Sequence, residues 1–494
     1  MSEIDFSTPS RQSVKGVFIL LFLSIGKLIR QSYLVLAIFV FKFIDNPQKF
    51  VDVLPYVGLG LLGLIAFIII RKWLEYKNFL YHIAENQFVL NEGIFNKTHT
   101  AIPFEKIQNI NIKQNLLHQF LNVVQLDIDS AGDTNTEISI AALDRNKATA
   151  LKKAILNSKA TAATLEIDDT IVKISPFTLL LVGITQNHFK SFMLLSAACV
   201  GLFADIEEFM KVIGQEELYN NLEDGFIGDG PDGWLTVFVI ITFVLLVSIV
   251  YSIVTIFLKN YNLLVSATKE NILVKKGLLN KVSYALNPDR VQSVHYETNY
   301  FKDKLGLFNV KMLQAMSNQK SKKNIEIVGV RQKQLKQIEQ LVYNFDPFAK
   351  KEKQRPNPYY LKQLLFMTIP FLVIINVFLY VVADFHLIAI NIVLVPLVVV
   401  LSFLFYRKSY FVLEDTHIVS GGGSISTLTY IVENHKIQAV RMSQNIFQKR
   451  KKVADLNIFV ASTQVKFPCV DYENAVKIYN YLLYKVETST KNWI

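Results

Sequence analysis

The chain has 494 residues, of which 51% are hydrophobic and 19% charged, and its 52 Lys and Arg against 41 Asp and Glu leave a formal charge of +11. A soluble globular chain carries about 25% charged residues, so this composition excludes a purely cytosolic enzyme, and so much apolar surface excludes disorder. Cys199 and Cys469 lie far apart in unrelated contexts, which excludes a disulfide framework and a cysteine-based metal site.

Residues 1–27 read as an N-terminal cytoplasmic and interfacial segment. Its apolar stretch at 17–25 has the length of a signal-peptide core, but Lys27 and Arg30 follow where small residues would mark a cleavage site. A helix that starts apolar and ends basic suits the headgroup layer. Residues 28–72 read as a transmembrane hairpin with spans at 28–44 and 53–70, closed by Arg71 and Lys72, and residues 76–158 as a soluble module. The interfacial pattern returns as a helix at 174–190. A second hairpin follows at 191–259, with an acidic outer loop at 205–233. Its second span, 234–258, contains no charge and exceeds the roughly 30 Å hydrocarbon core. A second module covers 260–345, a basic linker 346–360, a third hairpin 361–408 and a third module 409–486. Basic residues cluster at one end of each pair of spans, and basic residues near span ends stay cytoplasmic. The hairpin tips are therefore expected outside, and both termini and all three modules inside.

The three modules are copies of one unit. Gly93, Gly277 and Gly423 are offset by 184 and 146 residues, and the same offsets relate three further columns without a gap. These are Lys106, Arg290 and Lys436; Gln108, Gln292 and Gln438; and Asn115, Asn299 and Asn445. Within a copy the period is mostly two, as in Val124, Leu126 and Ile128, which predicts short strands. The aligned glycines fall between strand-like runs, where a hairpin turn needs positive φ. Each copy closes on a helical pattern, at 144–156, 332–342 and 471–483. The spacing of Ala148, Leu151 and Ile155 gives one buried stripe. Strands followed by one amphipathic helix predict a small curled sheet with the helix over an open end.

The strand–Gly–strand pattern precedes Lys106-Ile107-Gln108 with Ile110, Arg290-Val291-Gln292 with Val294, and Lys436-Ile437-Gln438 with Val440. This pattern resembles the bacterial pleckstrin-homology-like domain of class 2. Three copies interleaved with membrane hairpins are similar to a family of bacterial multi-pass membrane proteins, over nearly the whole chain. The fold class expected is a multi-pass α-helical membrane protein with α+β modules. It has six transmembrane helices in three hairpins, each followed by a PH-like, partly open β-barrel capped by a C-terminal helix. The resemblance implies a location in the bacterial inner membrane but supplies no activity. The third copy departs from the others in Gly421-Gly422-Gly423 and in a basic run where the second has Lys304-Leu305-Gly306.

No phosphate loop, zinc-protease helix, nucleophile elbow or dinucleotide fingerprint occurs, and no two histidines stand at ligand spacing on one helix. No catalytic residue, cofactor or metal is expected. Asp127 and Asp129 share a strand face but align with Lys311 and Leu313, so a solvated face is expected. The expected spans hold essentially no ionisable residue, which disfavours ion-coupled transport. A transporter or lipid-handling channel between the hairpins is the alternative reading.

The candidate contacts are Lys106, Arg290 and Lys436, with the run Lys449, Arg450, Lys451 and Lys452. Each cation close to an anionic leaflet contributes about 1 kcal/mol. The structural alternative is an ion pair of the aligned column with Glu105, Asp289 or Glu433, and, for the run, the positive-inside bias alone. The glutamine column suits a backbone hydrogen bond at a strand end. The expected function is a non-enzymatic integral membrane scaffold in envelope organisation or stress response. It would present three modules at the cytoplasmic surface to membrane lipids, anionic ones included, or to a membrane-protein partner. Nucleic acid is not an expected partner.

Overall fold

A computed structural model describes residues 6–44, 47–130, 137–157, 169–212, 217, 231–267, 271–314, 324–343, 352–382 and 391–489. Most of the acidic loop at 205–233, the third hairpin tip at 384–386 and the start of the basic linker lie outside these residues.

The first repeat runs β1 (Ser10–Arg11), α1 (Lys15–Ile44), α2 (Pro47–Asn78), β2 (Leu80–Ala84), β3 (Gln87–Glu92), β4 (Thr98–Pro103), β5 (Ile107–Gln114), α3 (Leu116–Phe120), β6 (Val123–Ser130), β7 (Glu137–Asp144) and α4 (Arg145–Asn157). The second runs β8 (Asp169–Lys173), α5 (Pro176–Ile184), α6 (Phe189–Val212), α7 (Pro231–Asn260), β9 (Leu264–Ala267), β10 (Ile272–Lys276), β11 (Lys281–Leu286), β12 (Val291–Asn299), α8 (Tyr300–Lys304), β13 (Leu307–Gln314), β14 (Asn324–Arg331) and α9 (Gln332–Val342). The third runs α10 (Tyr359–Val382), α11 (Asn391–Lys408), β15 (Tyr410–Leu413), β16 (His417–Gly422), β17 (Ser426–Glu433), β18 (Ile437–Ser443), α12 (Ile446–Arg450), β19 (Val453–Val460), β20 (Gln464–Asp471) and α13 (Tyr472–Glu487).

Among the described residues four helical stretches are long and apolar enough to cross a membrane: Pro55–Asn78, Leu235–Asn260, Tyr359–Val377 and Asn391–Lys408. The interfacial segment expected before residue 28 is not separate. α1 runs unbroken from Lys15, because nothing between its apolar start and Lys27 or Arg30 stops a helix. In the second repeat the break is real. α5 ends at Ile184, and the Asn187 side chain accepts from the Phe189 amide at 2.9 Å to start α6.

Each hairpin interrupts its module instead of preceding it. β1 pairs with β2 across the first hairpin, in the register Ser10↔Tyr81 and Arg11↔Leu80. β8 pairs with β9 across the second. Gln354, before the third, exchanges both backbone hydrogen bonds with Phe411 at 2.8 Å. A module is thus one edge strand, a helical hairpin, six further strands and a closing helix. In the first module Tyr81, Phe88, Leu126 and Ile140 fill the space between the sheets, and Ala148, Leu151 and Ile155 of α4 close it. In the third, Phe411 stacks on Phe467 at 4.5 Å, under Ala475, Ile478 and Leu482 of α13. Gly93, Gly277 and Gly423 have φ of +108°, +106° and +111°, and a Cβ on any of them would run into a carbonyl oxygen three residues on.

The helix leading into each hairpin is seated on a bulge in the last strand of its module. The bulges fall between Val124 and Leu126, Phe308 and Val310, and Ala454 and Leu456 of the pairing registers. Gly16 of α1 packs so closely on Ala142 that a Cβ there would lie 2.7 Å from the alanine methyl. Thr178 and Val182 of α5 close on Gly329, which has φ +72°.

The chain divides into two compact units that do not follow the repeats. One comprises Met1–Glu166, Gln186–Tyr261 and Lys275–Tyr284, and the other Ile167–Thr185, Asn262–Val274 and Ala285–Ile494. In the first unit β11 adds to the edge of β5, with Lys281 opposite Gln114. In the second β12 and β17 join two half-sheets into the order β14-β13-β12-β17-β16-β15. There the His295 ring meets Tyr430 edge-on at 4.4 Å, and Tyr343 donates its hydroxyl to the Ile431 carbonyl at 3.3 Å.

Two outcomes follow. Gly329→Val combines a strained φ with a clash against α5, which should cost about 1–3 kcal/mol and lower the thermal unfolding temperature of the solubilised protein. His295 is pushed down to about 4, by burial first and then by Lys311. The fold holds its neutral form, so its contribution is complete above pH 6.5 and lost as pH falls toward 4. Unfolding temperature should therefore fall more steeply over that window for the wild type than for His295→Gln; parallel curves would contradict this.

Candidate membrane-facing site

The aligned Asn115, Asn299 and Asn445 are N-caps. Their side chains accept from the amides of His118, Lys302 and Gln448 at 2.9, 2.9 and 2.7 Å, starting the one-turn helices α3, α8 and α12. In the third copy the Gln448 side-chain oxygen in turn accepts from the Asn445 amide at 2.9 Å, completing a capping box. Each helix ends on a left-handed residue that turns the chain into the next strand: Asn122 at φ +54°, Gly306 at +62° and Lys452 at +54°.

These helices present apolar side chains to the outside. Leu116 and Phe120 on α3, Tyr300 and Phe301 on α8, and Ile446 and Phe447 on α12 are all exposed, Phe120 at 89% and Ile446 at 73%. Leu116, Tyr300 and Ile446, directly after the aligned asparagines, are thus exposed in all three copies, whereas Leu117, which aligns with Phe301 and Phe447, is half-buried. Each tip is also tied to the helix that leads to its hairpin. Lys15 of α1 donates to the Leu121 carbonyl at 3.1 Å, and the Asn299 side-chain NH2 donates to the carbonyl of Thr185, just past α5. Gln448 donates to Gln363 of α10 at 3.1 Å. Phe447 lies 6.0 Å from Phe366, one turn further along α10.

A buried polar cluster holds α12 in place. Asp455 accepts from the Gln448 side chain at 3.0 Å and from the Cys469 amide at 2.8 Å, and its other oxygen faces Lys466 at 3.0 Å. The Cys469 thiol donates to Gln363 at 2.9 Å. Burial, as the largest influence, pushes this thiol up to about 11, so it stays protonated as a donor at neutral pH.

Lys449, Arg450, Lys451 and Lys452 are all exposed on and just after α12. The aligned column stands elsewhere, on the 3₁₀ turns that precede β5, β12 and β18. Lys106 is exposed and Arg290 half-buried. Lys436 is only 3% exposed, ion-paired to Glu433 at 2.5 Å and donating to the Val291 carbonyl at 2.7 Å, so it is not presented to a head group. It and the basic run sit at opposite ends of β18. Gln292 is buried and Gln438 exposed, so the glutamine column shares no single environment; Gln108 lies on β5.

Asp127 and Asp129 are not a solvated face. They are 2% and 5% exposed. Asp127 is held by Lys113 at 2.5 Å and by Gln125 and Ser139, each at 2.8 Å, while Asp129 accepts from Asn111 at 3.0 Å. Burial alone would raise Asp127, but these bonds together hold it below the ordinary carboxylate range. Among the described residues no group of three His, Cys, Asp or Glu side chains is placed to hold a metal ion. The apolar tips escaped sequence reasoning, although a signal was present: an apolar pair directly after each aligned asparagine.

A family model described as bacterial PH domain matches residues 27–159, 222–345 and 368–486. The chain belongs to the bacterial PH domain family. It is also 21% identical over 445 residues to the UPF0699 transmembrane protein YdbT of Bacillus subtilis (strain 168), covering 87% of each chain. No solved structure matches it significantly. With its apolar helices, the chain is a membrane protein carrying three bacterial PH domains.

Asp455 is the acceptor on which the α12 cluster of the third PH domain converges. Asp455→Ala leaves two buried donors without it and should cost about 1–3 kcal/mol. Thermal unfolding reads the loss, and faster amide exchange over 446–450 locates it. Asp455→Asn, which keeps one acceptor oxygen, should recover part of the loss.

Proposed function

We propose that this protein is a non-enzymatic scaffold of the bacterial cytoplasmic membrane, with six spans holding three bacterial PH domains against the inner leaflet. α1 and α6 would supply the two spans beyond the four apolar stretches. The basic ends of the spans, Arg71, Lys72, Lys259, Arg407 and Lys408, favour a cytoplasmic location for the domains.

The observation that carries this reading is α12. It sets exposed Ile446 and Phe447 and four exposed cations beside the first turns of a membrane helix. Apolar side chains reaching below the head groups with cations at their level is how an interfacial helix holds an anionic membrane. α3 and α8 repeat the apolar part, and Lys304 lies over the Tyr300 ring at 4.8 Å. The partner these groups favour is anionic lipid. Because the domain is already tethered by spans, even weak contacts suffice to fix its orientation.

The test uses the full chain in proteoliposomes, with a fluorophore on Phe447→Cys in a Cys199→Ser background and quenchers carried on the lipid. Quenching should be strong in vesicles containing phosphatidylglycerol and weaker in phosphatidylcholine alone. Replacing Lys449, Arg450, Lys451 and Lys452 by Glu should lower the docked population in anionic vesicles about tenfold or more, with little change in neutral ones. Equal quenching in both lipids, unchanged by the Glu variant, would contradict the lipid reading.

A further inference from the structure

The two strand joints inside the chain are the same joint used twice. In the first, Gln114, Lys113 and Ile112 of β5 face Lys281, Val282 and Ser283 of β11. In the second, Asn299 to Val294 of β12 face Ser426 to Ile431 of β17. Aligning the repeats maps Gln114 onto Thr298 and Lys281 onto Thr427, and Thr298 does face Thr427. The register is thus identical: the fifth strand of one module takes the fourth strand of the next along its open edge.

Three modules in a row leave one half-joint at each end. Among the described residues β18, the fifth strand of the last module, is hydrogen-bonded only to β19, and β4, the fourth strand of the first, only to β3. Their side chains show what the missing neighbour does. Gln292, Ser293 and Val294 on the covered β12 are at most 1% exposed, whereas the aligned Gln438 and Ala439 on β18 are exposed and Val440 is half-buried. Thr429 and Ile431 on the covered β17 are buried, whereas the aligned His99 and Ala101 on β4 are exposed. An open strand edge is a row of unpaired backbone donors and acceptors, a template for another strand.

We infer that β18 of one copy pairs antiparallel with β4 of a second copy, continuing head to tail the joint already made twice within the chain. The second copy is the occupant because the chain carries both complementary halves, in a register its own repeats specify. Ser443 faces Thr98, Met442 faces His99, Arg441 faces Thr100 and Val440 faces Ala101. Such a contact is heterologous, so it closes into a ring or extends as a row within the membrane plane. The inference does not depend on lipid binding.

Disulfide trapping tests the register. Two differently tagged full-length chains, one Ser443→Cys and one Thr98→Cys, both in a Cys199→Ser background, are co-expressed and oxidised in native membranes. Facing Cα atoms in an antiparallel pair lie about 4.5–5.5 Å apart, within the span a disulfide bridges. The mixed dimer should form in high yield, while Gln438→Cys with Thr98→Cys, five residues out of register, should not cross-link. The purified chain should also show a mass that rises with concentration. Thr100→Lys, set opposite Arg441, should weaken association about two- to five-fold, and Arg441→Glu in the same chain should restore it. A chain that keeps the single-copy mass at all concentrations without an in-register cross-link, its edges left to some other protein, overturns the inference. So does equal cross-linking of the out-of-register pair.

Discussion

The architecture depends on backbone pairing across an interruption. The strand before each hairpin and the strand after it belong to one sheet, so the chain must leave the module, form a helical hairpin and return to within hydrogen-bonding distance of where it left. Ser10 and Arg11 opposite Tyr81 and Leu80, β8 beside β9, and Gln354 exchanging hydrogen bonds with Phe411 all meet this requirement. A sheet edge left open would expose unpaired backbone groups, so the pairing has a direct energetic reason. The seat of the entering helix reinforces it. Gly16 lies on Ala142, α5 on Gly329, and Gln363 is bound to Cys469, each at the bulge that turns the last strand. In the first and third repeats the membrane helix is therefore part of the module's packing and not a leash attached to it, while in the second the separate short helix α5 takes that seat.

Chained half-joints extend the same logic from module to module. A PH-like module has two half-sheets, and each presents one edge that its own strands do not cover. Within this chain β11 covers β5 and β17 covers β12, burying the Gln292, Ser293 and Val294 stretch that remains open in the third copy. This explains why Lys275–Tyr284 of the second module groups with the first: its strand β11 completes that sheet.

Much of the fold was legible in the sequence because triplication turns weak local signals into aligned columns. The turn glycines and the asparagine column appear three times without a gap, and a closing helix ends every copy. What stayed hidden was short or non-local. Two residues of β1 and the single bridge at Gln354 carry no periodicity to read. Asp127 looked solvated because alternation along β6 says nothing of Lys113 and Ser139 on its neighbours, which satisfy it. Lys436 supports both readings of its column in the sequence; it pairs with Glu433, as the structural alternative expects, and only its second acceptor, the second module's Val291 carbonyl, lay beyond the charge pattern. The exposed basic run was visible from charge alone. The apolar tips beside it were not, because an apolar residue is read by default as core.

Seating of the membrane helix on its module is the central claim, and distance measurement by electron spin resonance tests it most directly. Labels on Lys362→Cys, at the exposed start of α10, and Lys477→Cys, on the outer side of α13, report on one module and its own helix. In lipid bilayers the account predicts a single narrow distance distribution, unchanged between neutral and anionic lipid. A broad distribution, or one that shifts with lipid composition, would show that the helix only tethers the module and would contradict the account.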